Sequence, residues 1–255
     1  MSDRATVLLV QTGHRGDPLD LAEEQRLIQQ ALTSTRYGDQ LDVVPVPAAR
    51  PEDLTSALQR HQPTMLHLSG RGTAADGVLF RADDGGEVPV NPEAMCQLLA
   101  VVAPQLVVAV VNACWGVHLA QRLAGTMGCA IGVTTVIDDA TARRFSAEPY
   151  QAIGYGFSVG RSFHTARLAL ATYELPDHEA VTIFERDDGG ADRLFVIPDP
   201  VMPPSPHDAT KPMAPSIPPF RCKYRAVVTA DARDEEEARA MMSAFNVEMM
   251  TFYSE

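Results

Sequence analysis

Two short polar segments follow apolar stretches of this 255-residue sequence, and they hold its best candidates for chemistry. Ser69-Gly70-Arg71-Gly72 follows the mainly apolar residues 65–68, and Asn112-Ala113-Cys114-Trp115-Gly116 follows the apolar residues 106–111. In open α/β sheets, functional groups collect at the carboxyl ends of strands. The two segments, which contribute a guanidinium and a thiol, are therefore candidates for a functional site.

Cys114 stands where an apolar strand pattern gives way to a helical pattern that runs on through Leu123. The N-terminus of a helix favours the thiolate form of a cysteine, and the thiolate is the nucleophile. A single cysteine is in general more often a small buried apolar residue. The local pattern leaves these two interpretations even.

The glycines of the first segment, Gly70 and Gly72, together with Gly77, could suggest a phosphate-binding loop. Such a loop must open a helix whose N-terminus faces the phosphate. Here the glycines lead into an apparent strand over residues 78–80, and no Gly-Lys-Ser/Thr sequence occurs. A sharp turn that needs glycine dihedral angles is the better interpretation.

The surrounding elements alternate strand and helix over residues 1–197, which predicts an α/β domain with a mostly parallel sheet and helices on both faces. A hairpin is predicted around the turn at residues 83–86. Helices are predicted over residues 19–32, from Pro51, from Asn91, from Cys114, and after the caps Asp138/Asp139 and Ser158. The predicted strands span residues 5–10, 41–46, 65–69, 77–80, 106–112, 129–134, 180–185 and 193–197.

The composition changes after this domain. Residues 198–219 contain nine prolines and no periodic apolar pattern, which predicts an extended linker. Residues 220–255 follow with the pattern of a small β-α-β extension, too short to hold a core alone. We expect this extension to dock on the main domain or on a partner.

Charge and cysteine usage narrow the class of protein. Acidic residues outnumber basic ones by 33 to 21, which argues against a non-specific nucleic-acid or anionic-membrane binder. No signal peptide and no apolar run long enough to cross a bilayer is seen, so a cytoplasmic protein is predicted. No cysteine pair has metal-ligand spacing, which predicts reduced thiols and neither metal nor cofactor. The four cysteines are Cys96, Cys114, Cys129 and Cys222.

Several segments, in order over about residues 5–197, resemble the CHAT domain family, caspase-like cysteine peptidases related to separase. The stretch at residues 65–72 is similar to that family's histidine motif, and residues 110–114 are similar to its cysteine motif. The other matching segments are residues 7–10, residues 19–28 with Glu24, residues 130–133 and 137–140, Phe145, Tyr150, and residues 156–159.

The resemblance implies a caspase-like fold and a histidine–cysteine dyad. Carried over, Cys114 is the nucleophile, and the backbone amides of Gly72 and Cys114 form the oxyanion hole. The histidine position is occupied by Arg71. An arginine does not accept a proton at working pH, so cleavage of ordinary peptide bonds should be feeble.

Two functions stay open. One is a pseudopeptidase or regulatory module that binds a protein or peptide, as in a bacterial defence or signalling pathway. The other is an active cysteine endopeptidase with a substitute base or activation by a partner. His14 and His118 are candidates for that base and for the substrate pocket, although a surface histidine without a catalytic role is the more common interpretation. A homo-oligomer or larger complex is left open.

Other residues have weaker claims. Asp138 and Asp139 could line a substrate pocket, although helix capping is the more common role. His67 lies about 13 Å before Arg71 on the same strand, too far to replace the missing histidine, and a structural role is predicted. Pro149 falls inside a predicted helix and should kink it, which puts the family's substrate specificity in doubt.

Overall fold

The computed structural model describes residues 4–13, 21–73, 77–113, 116–134, 139–172, 179–186 and 190–197. The predicted linker over residues 198–219 and the predicted extension over residues 220–255 lie outside these ranges, so both stay predictions.

The described elements alternate much as the sequence predicts. The strands are β1 (Ala5–Gln11), β2 (Leu41–Pro47), β3 (Met65–Gly70), β4 (Gly72–Thr73), β5 (Gly77–Arg81), β6 (Glu87–Pro89), β7 (Val108–Ala113), β8 (Cys129–Val133) and β9 (Val181–Glu185). The helices are α1 (Leu21–Thr33), α2 (Pro51–His61), α3 (Pro92–Val102), α4 (Val117–Met127), α5 (Asp139–Gly154) and α6 (Val159–Thr172).

A six-stranded sheet forms the centre of the described fold, in the order β2-β1-β3-β7-β8-β9. Its first five strands are parallel, and β9 runs antiparallel to β8. A separate three-stranded antiparallel sheet, β4-β5-β6, contains the predicted hairpin. Gly85 has a positive φ in the hairpin turn, a conformation that glycine adopts without steric cost. The predicted class, a mostly parallel sheet flanked by helices, is confirmed.

Two apolar cores lie on opposite faces of the large sheet. One joins the sheet to α2, α3 and α4 and includes Leu8, Leu66 and Leu68. The other joins it to α1, α5 and α6 and includes Val7 and Met65. The alternation of side chains along β1 and β3 explains this division, since successive residues of a strand point to opposite faces.

The helices begin and pack for reasons visible in the sequence. The Asn91 side chain caps α3 by accepting hydrogen bonds from the backbone N–H groups of Glu93 and Ala94, and Pro92 fits the first turn. Helix α1 buries residues four apart, Glu24, Ile28 and Leu32, which places all three on one face.

Two local expectations meet different outcomes. The predicted strand over residues 193–197 is wrong: Ala191–Arg193 is a 3₁₀ turn, and the Leu194 carbonyl accepts a hydrogen bond from the Val159 N–H at the start of α6 instead of pairing in a sheet. Helix α5 includes Pro149 as an interior residue and extends to Gly154, so the proline does not end the helix, and the kink expected there stays a prediction. Within the described ranges, no helix is both long and apolar enough to cross a membrane.

Candidate functional site at the ends of strands β3 and β7

The two polar segments begin on neighbouring strands. In the parallel register of β3 and β7, Ser69 lies beside Asn112 and Gly70 lies beside Ala113. Arg71 therefore follows directly after one strand end, and Cys114 follows in sequence after the other. Cys114 itself lies outside the described residues.

The residue that follows β1, Thr12, lies close beside the end of β3. The Thr12 N–H donates a hydrogen bond to the Ser69 carbonyl at 2.9 Å. A Cβ atom at position 70 would overlap the Thr12 hydroxyl oxygen, so the close approach requires Gly70. The glycine here serves chain packing: Gly70 ends β3 without a positive φ, so the predicted turn that needs glycine dihedral angles is not found at this position.

Arg71 lies at the surface beside the small sheet. Its side chain is 50% exposed, and one guanidinium nitrogen lies 3.6 Å from a carboxylate oxygen of Glu87 on β6. The Arg71 carbonyl accepts a hydrogen bond from the Leu79 N–H, and Gly72 pairs with Val78. The predicted oxyanion donor Gly72 is thus held in β4, directly after the strand end.

The end of β7 passes into α4 through a tight turn. The Gly116 N–H donates a hydrogen bond to the Ala113 carbonyl at 2.9 Å, and α4 begins at Val117. A Cβ atom on Gly116 would lie 2.6 Å from Val111 Cγ1, which is too close. Cys114 lies in sequence between Ala113 and Gly116, outside the described residues, so its role as a nucleophile stays a prediction.

A buried polar cluster includes the residues one position before the ends of β3 and β7, on the sheet face that carries α1 and α5. We call it the Glu24 cluster, and its central atom is Oε1 of Glu24, which accepts hydrogen bonds from the hydroxyl groups of Ser69 and Ser146 and from the side-chain amide of Asn112. Its members are Glu24, His67, Ser69, Asn112, Ser146 and Tyr150.

His67 is wholly buried in this cluster. Its Nδ1 lies 2.8 Å from the Tyr150 hydroxyl group, and the two rings are stacked with centroids 5.7 Å apart. Its Nε2 lies 3.5 Å from Oε1 of Glu24, a distance that fits charge attraction when the ring is protonated better than a hydrogen bond. Nε2 of His67 and Oε2 of Glu24 have no hydrogen-bond partner among the described residues.

The surroundings of Glu24 hold its carboxyl group ionised. Burial alone would raise the pKa of Glu24, but His67 and the hydroxyl groups of Ser146 and Ser69 outweigh burial and lower the pKa to about 2. Burial, together with the charge of Glu24, raises the pKa of Tyr150 well above its usual value. Tyr150 is therefore a neutral phenol at physiological pH, able to donate or accept one hydrogen bond with His67.

Two solved structures of cysteine proteases share this architecture. A secreted C11 cysteine protease from Bacteroides thetaiotaomicron, solved with an irreversible peptide inhibitor, matches with a TM-score of 0.52 at 12% identity, over 72% of this chain and 66% of that one. The Arg-specific cysteine proteinase gingipain R matches with a TM-score of 0.53 at 15% identity, over 75% of this chain and 48% of that one.

The fold is caspase-like. At these identities the likeness establishes the fold alone, and this chain spans 66% and 48% of the lengths of the two proteases. No protein-family model and no curated protein sequence matches the chain. The predicted caspase-like peptidase fold is confirmed, while membership of the CHAT family stays a prediction.

The other predicted site residues of this caspase-like domain stay predictions. His118 is exposed on the first turn of α4, and Asp139 is the first residue of α5. His14 and Asp138 lie outside the described residues. Within the part of the chain that the structure describes, no group of three or more His, Cys, Asp or Glu side chains is arranged to hold a metal ion.

Sequence reasoning missed the polar partners contributed by α5. Ser146 and Tyr150 are four residues apart and therefore lie on one helix face, but they are 122 and 126 positions from Glu24. A serine and a tyrosine at helical spacing are unremarkable without a buried carboxylate opposite them. The available signal was Glu24 itself, which occupies an otherwise apolar stripe of α1.

Proposed function

We propose that this chain is a CHAT-type pseudopeptidase, a caspase-like domain that binds a peptide or protein segment at the ends of β3 and β7 without completing its cleavage. The observation that carries this proposal is the side chain at position 71. Directly after β3, where the resemblance places a catalytic histidine, stands Arg71, half-exposed and loosely paired with Glu87.

The chemistry of the two residue types explains the consequence. A cysteine peptidase needs a group that removes the thiol proton and then gives a proton to the leaving amine. A guanidinium, with a pKa above about 12, does neither at neutral pH. It does stabilise a neighbouring thiolate by its charge, and its N–H groups bind carbonyl and carboxylate oxygens. The expected result is binding without turnover.

His67 does not supply the missing base. It is fully buried under the sheet, and its Nδ1 is taken by Tyr150. A general base must lie within hydrogen-bond reach of the proton that it removes. His67 stands four residues before Arg71, or about 13 Å along an extended strand, which is beyond that reach.

A second candidate function, an active cysteine endopeptidase, is favoured by the setting of Cys114. The residue follows the last residue of β7 and comes three positions before the first residue of α4. That strand-to-helix connection suits a nucleophilic thiolate. Such an enzyme would use His118, His14 or a group from a partner as its base, with Asp138 or Asp139 lining the substrate pocket.

Labelling and turnover separate the two candidates. The full chain is exposed to a set of peptidyl electrophiles across pH, and modification of Cys114 is read by mass spectrometry. Turnover is measured in parallel on a fluorogenic peptide library. The native chain is expected to be labelled at Cys114 and to show no turnover. The Arg71→His variant is expected to gain turnover by about 10²- to 10⁴-fold over the native background, the usual contribution of a general acid–base group.

Matched variants make the result specific. Cys114→Ser gives the background for labelling and turnover. Arg60→His places a new histidine on the exposed part of α2 and should leave turnover unchanged. Turnover by the native chain that Cys114→Ser abolishes would overturn the pseudopeptidase and establish the peptidase. A Cys114 that no peptidyl electrophile labels faster than a small alkylating reagent would contradict peptide binding at this site.

We further propose, on the resemblance alone, that the ligand belongs to a protein partner of a bacterial defence or signalling system. A cytoplasmic setting and assembly into an oligomer or larger complex belong to the same proposal. Co-purification of the native chain and of Cys114→Ser from the source cells, followed by identification of bound proteins, tests it. The proteins bound by the native chain are compared before and after the site is blocked by a peptidyl electrophile. If blocking leaves the bound proteins unchanged, they do not bind through the strand ends.

A further inference from the structure

The Glu24 cluster joins four separate elements through one oxygen atom. Oε1 of Glu24, on α1, accepts from Ser69 on β3 at 2.8 Å and from Asn112 on β7 at 2.7 Å, and it also accepts from Ser146 on α5. Asn112 donates a further hydrogen bond to Ser146 at 2.7 Å. The two sheet residues are direct register partners. One carboxylate oxygen therefore ties neighbouring strands together at a single level of the sheet.

That level lies just below the candidate site. Arg71 comes two residues after Ser69, and Cys114 comes two residues after Asn112. Any shift of one strand relative to the other at Ser69 and Asn112 would change the relative position of Gly70 and Ala113, the last residues of the two strands.

A purely structural need does not explain the cluster. On the opposite face of the same two strands, Leu66, Leu68 and Val111 pack in an apolar core, so burial at this part of the sheet does not require a charged side chain. A buried charge costs desolvation free energy, and well-packed apolar residues often stabilise a protein as much or more. Oε2 of Glu24 and Nε2 of His67 are buried without a hydrogen-bond partner among the described residues, which adds to that cost.

We propose that Glu24 is a positioning residue of the strand-end site: its carboxylate fixes the ends of β3 and β7 and thereby sets the relative position of Gly70 and Ala113 for peptide binding. This inference rests on the proposed function, because it assigns Glu24 to the same peptide-binding site. Glu24 acts through Ser69 and Asn112 and touches neither the peptide nor the thiol.

The test compares two adjacent glutamates of α1. Glu24→Gln keeps the shape and one acceptor oxygen but removes the charge. Glu23→Gln makes the same chemical change on the surface, where Glu23 pairs with Arg26. In each full-length variant, the rate of Cys114 labelling by the best peptidyl electrophile is divided by its rate of labelling by iodoacetamide. The ratio cancels the intrinsic reactivity of the thiol, and it is compared only between variants that unfolding curves show to be fully folded under the labelling conditions.

The ratio is expected to fall by about 10- to 100-fold in Glu24→Gln, the scale of loss for a misplacement of about 1 Å at a reactive site. It should stay at the native value in Glu23→Gln. An unchanged ratio in folded Glu24→Gln overturns the inference. If Glu24→Gln fails to fold, Ser69→Ala, which removes only the link to β3, decides in its place, and an unchanged ratio there overturns the inference equally.

Failure of the proposed function is a different result. If the native ratio equals the ratio that free cysteine gives with the same two reagents, the strand ends do not bind peptide. Backbone hydrogen exchange then tests the positioning role by itself. Glu24→Gln should accelerate exchange at Gly70 and Ala113 while leaving Leu66 and Ala109, lower on the same strands, at native rates. Equal rates at Gly70 and Ala113 in native chain and variant would overturn the inference.

Discussion

The two faces of the central sheet solve the same packing problem with different chemistry. The face covered by α2, α3 and α4 is apolar along β3, where it presents Leu66 and Leu68. On the face covered by α1 and α5, the alternate residues of the same strand are His67 and Ser69, both fully buried. One strand therefore carries an apolar core on one side and a polar cluster on the other.

The difference indicates that the buried polar side chains and the buried apolar side chains of this sheet have different roles. The polar residues of the second face gather toward the carboxyl ends of the strands, while Met65 and Val108, at the other ends, are apolar. Functional groups of α/β sheets belong at the carboxyl ends. We therefore expect the apolar face to dominate stability and the polar face to govern the site.

The largest effect on stability is expected from the apolar face. Leu66→Ala removes a side chain that is 1% exposed and should lower the free energy of unfolding by about 4 kcal/mol, since the cavity adds to the lost burial. Leu168→Ala, the same change at a side chain that is 67% exposed on α6, should cost less than about 1 kcal/mol. Urea unfolding measures both. Equal costs would remove the distinction between core and surface leucines.

The polar face predicts a dependence of stability on pH. The pKa of Glu24 is lowered from 4.5 to about 2 in the folded state, so its contribution to stability is complete above about pH 4.5 and is lost as pH falls through about 2. A shift of this size corresponds to about 3 kcal/mol at most.

Unfolding titrations between pH 6 and pH 2 test this window. The native chain should lose unfolding free energy as pH falls below about 4.5. Glu24→Gln should remove most of this loss, and Glu23→Gln should leave most of it in place. If Glu24→Gln loses as much as the native chain, Glu24 is not held ionised by its partners.

A smaller effect is expected from the helical side of the cluster. Ser146→Ala deletes one hydrogen bond to the Glu24 carboxylate and should cost about 1–2 kcal/mol, in the range for a bond to a charged group. Thr165→Ala, which removes an exposed hydroxyl group bonded to the Arg161 carbonyl on α6, is the matched control. The melting temperature of Ser146→Ala should lie clearly below that of Thr165→Ala. The reverse order would contradict a central role for the cluster.

The smallest effect on stability is expected at Arg71. Its ion pair with Glu87 spans 3.6 Å, and the Arg71 side chain is half-exposed, so Arg71→Ala should change the free energy of unfolding by less than about 1 kcal/mol. The same variant should lose peptidyl labelling of Cys114 under the proposed function. A large loss of stability would instead make Arg71 a structural residue.

The sequence predicts the strands and helices more fully than it predicts which strands pair and in which direction. Apolar runs and capping residues predict the parallel strands and the helices because those patterns are local. The segment 193–197 misled because it is short and apolar, and periodicity does not reveal whether a sheet edge is available to pair with it. In the structure, Leu194 bonds to the start of α6 instead. The antiparallel direction of β9 depends on tertiary packing and was also not predicted.

The site is predictable only in part for the same reason. Ser69, Arg71 and Asn112 fall in two motifs that the strand ends make visible. The Glu24 cluster also needs Ser146 and Tyr150 on a distant helix, and nothing local marks either as polar and buried. The exposed Arg71 and the buried His67 lie four residues apart on one chain segment, and only the structure shows their different environments.

At the end of β3, Ser69 and Gly70 are constrained by their contacts, whereas the next residue is not. The close approach of Thr12 constrains Gly70. Any larger residue at position 70 would overlap Thr12, and Ser69 is bonded to Glu24. Arg71, the next residue, is held by one loose surface pair. Over evolutionary time this position can exchange arginine and histidine at little structural cost while its neighbours stay fixed. Under the proposed function, a chain with this scaffold and a histidine at position 71 is therefore expected to cleave peptides.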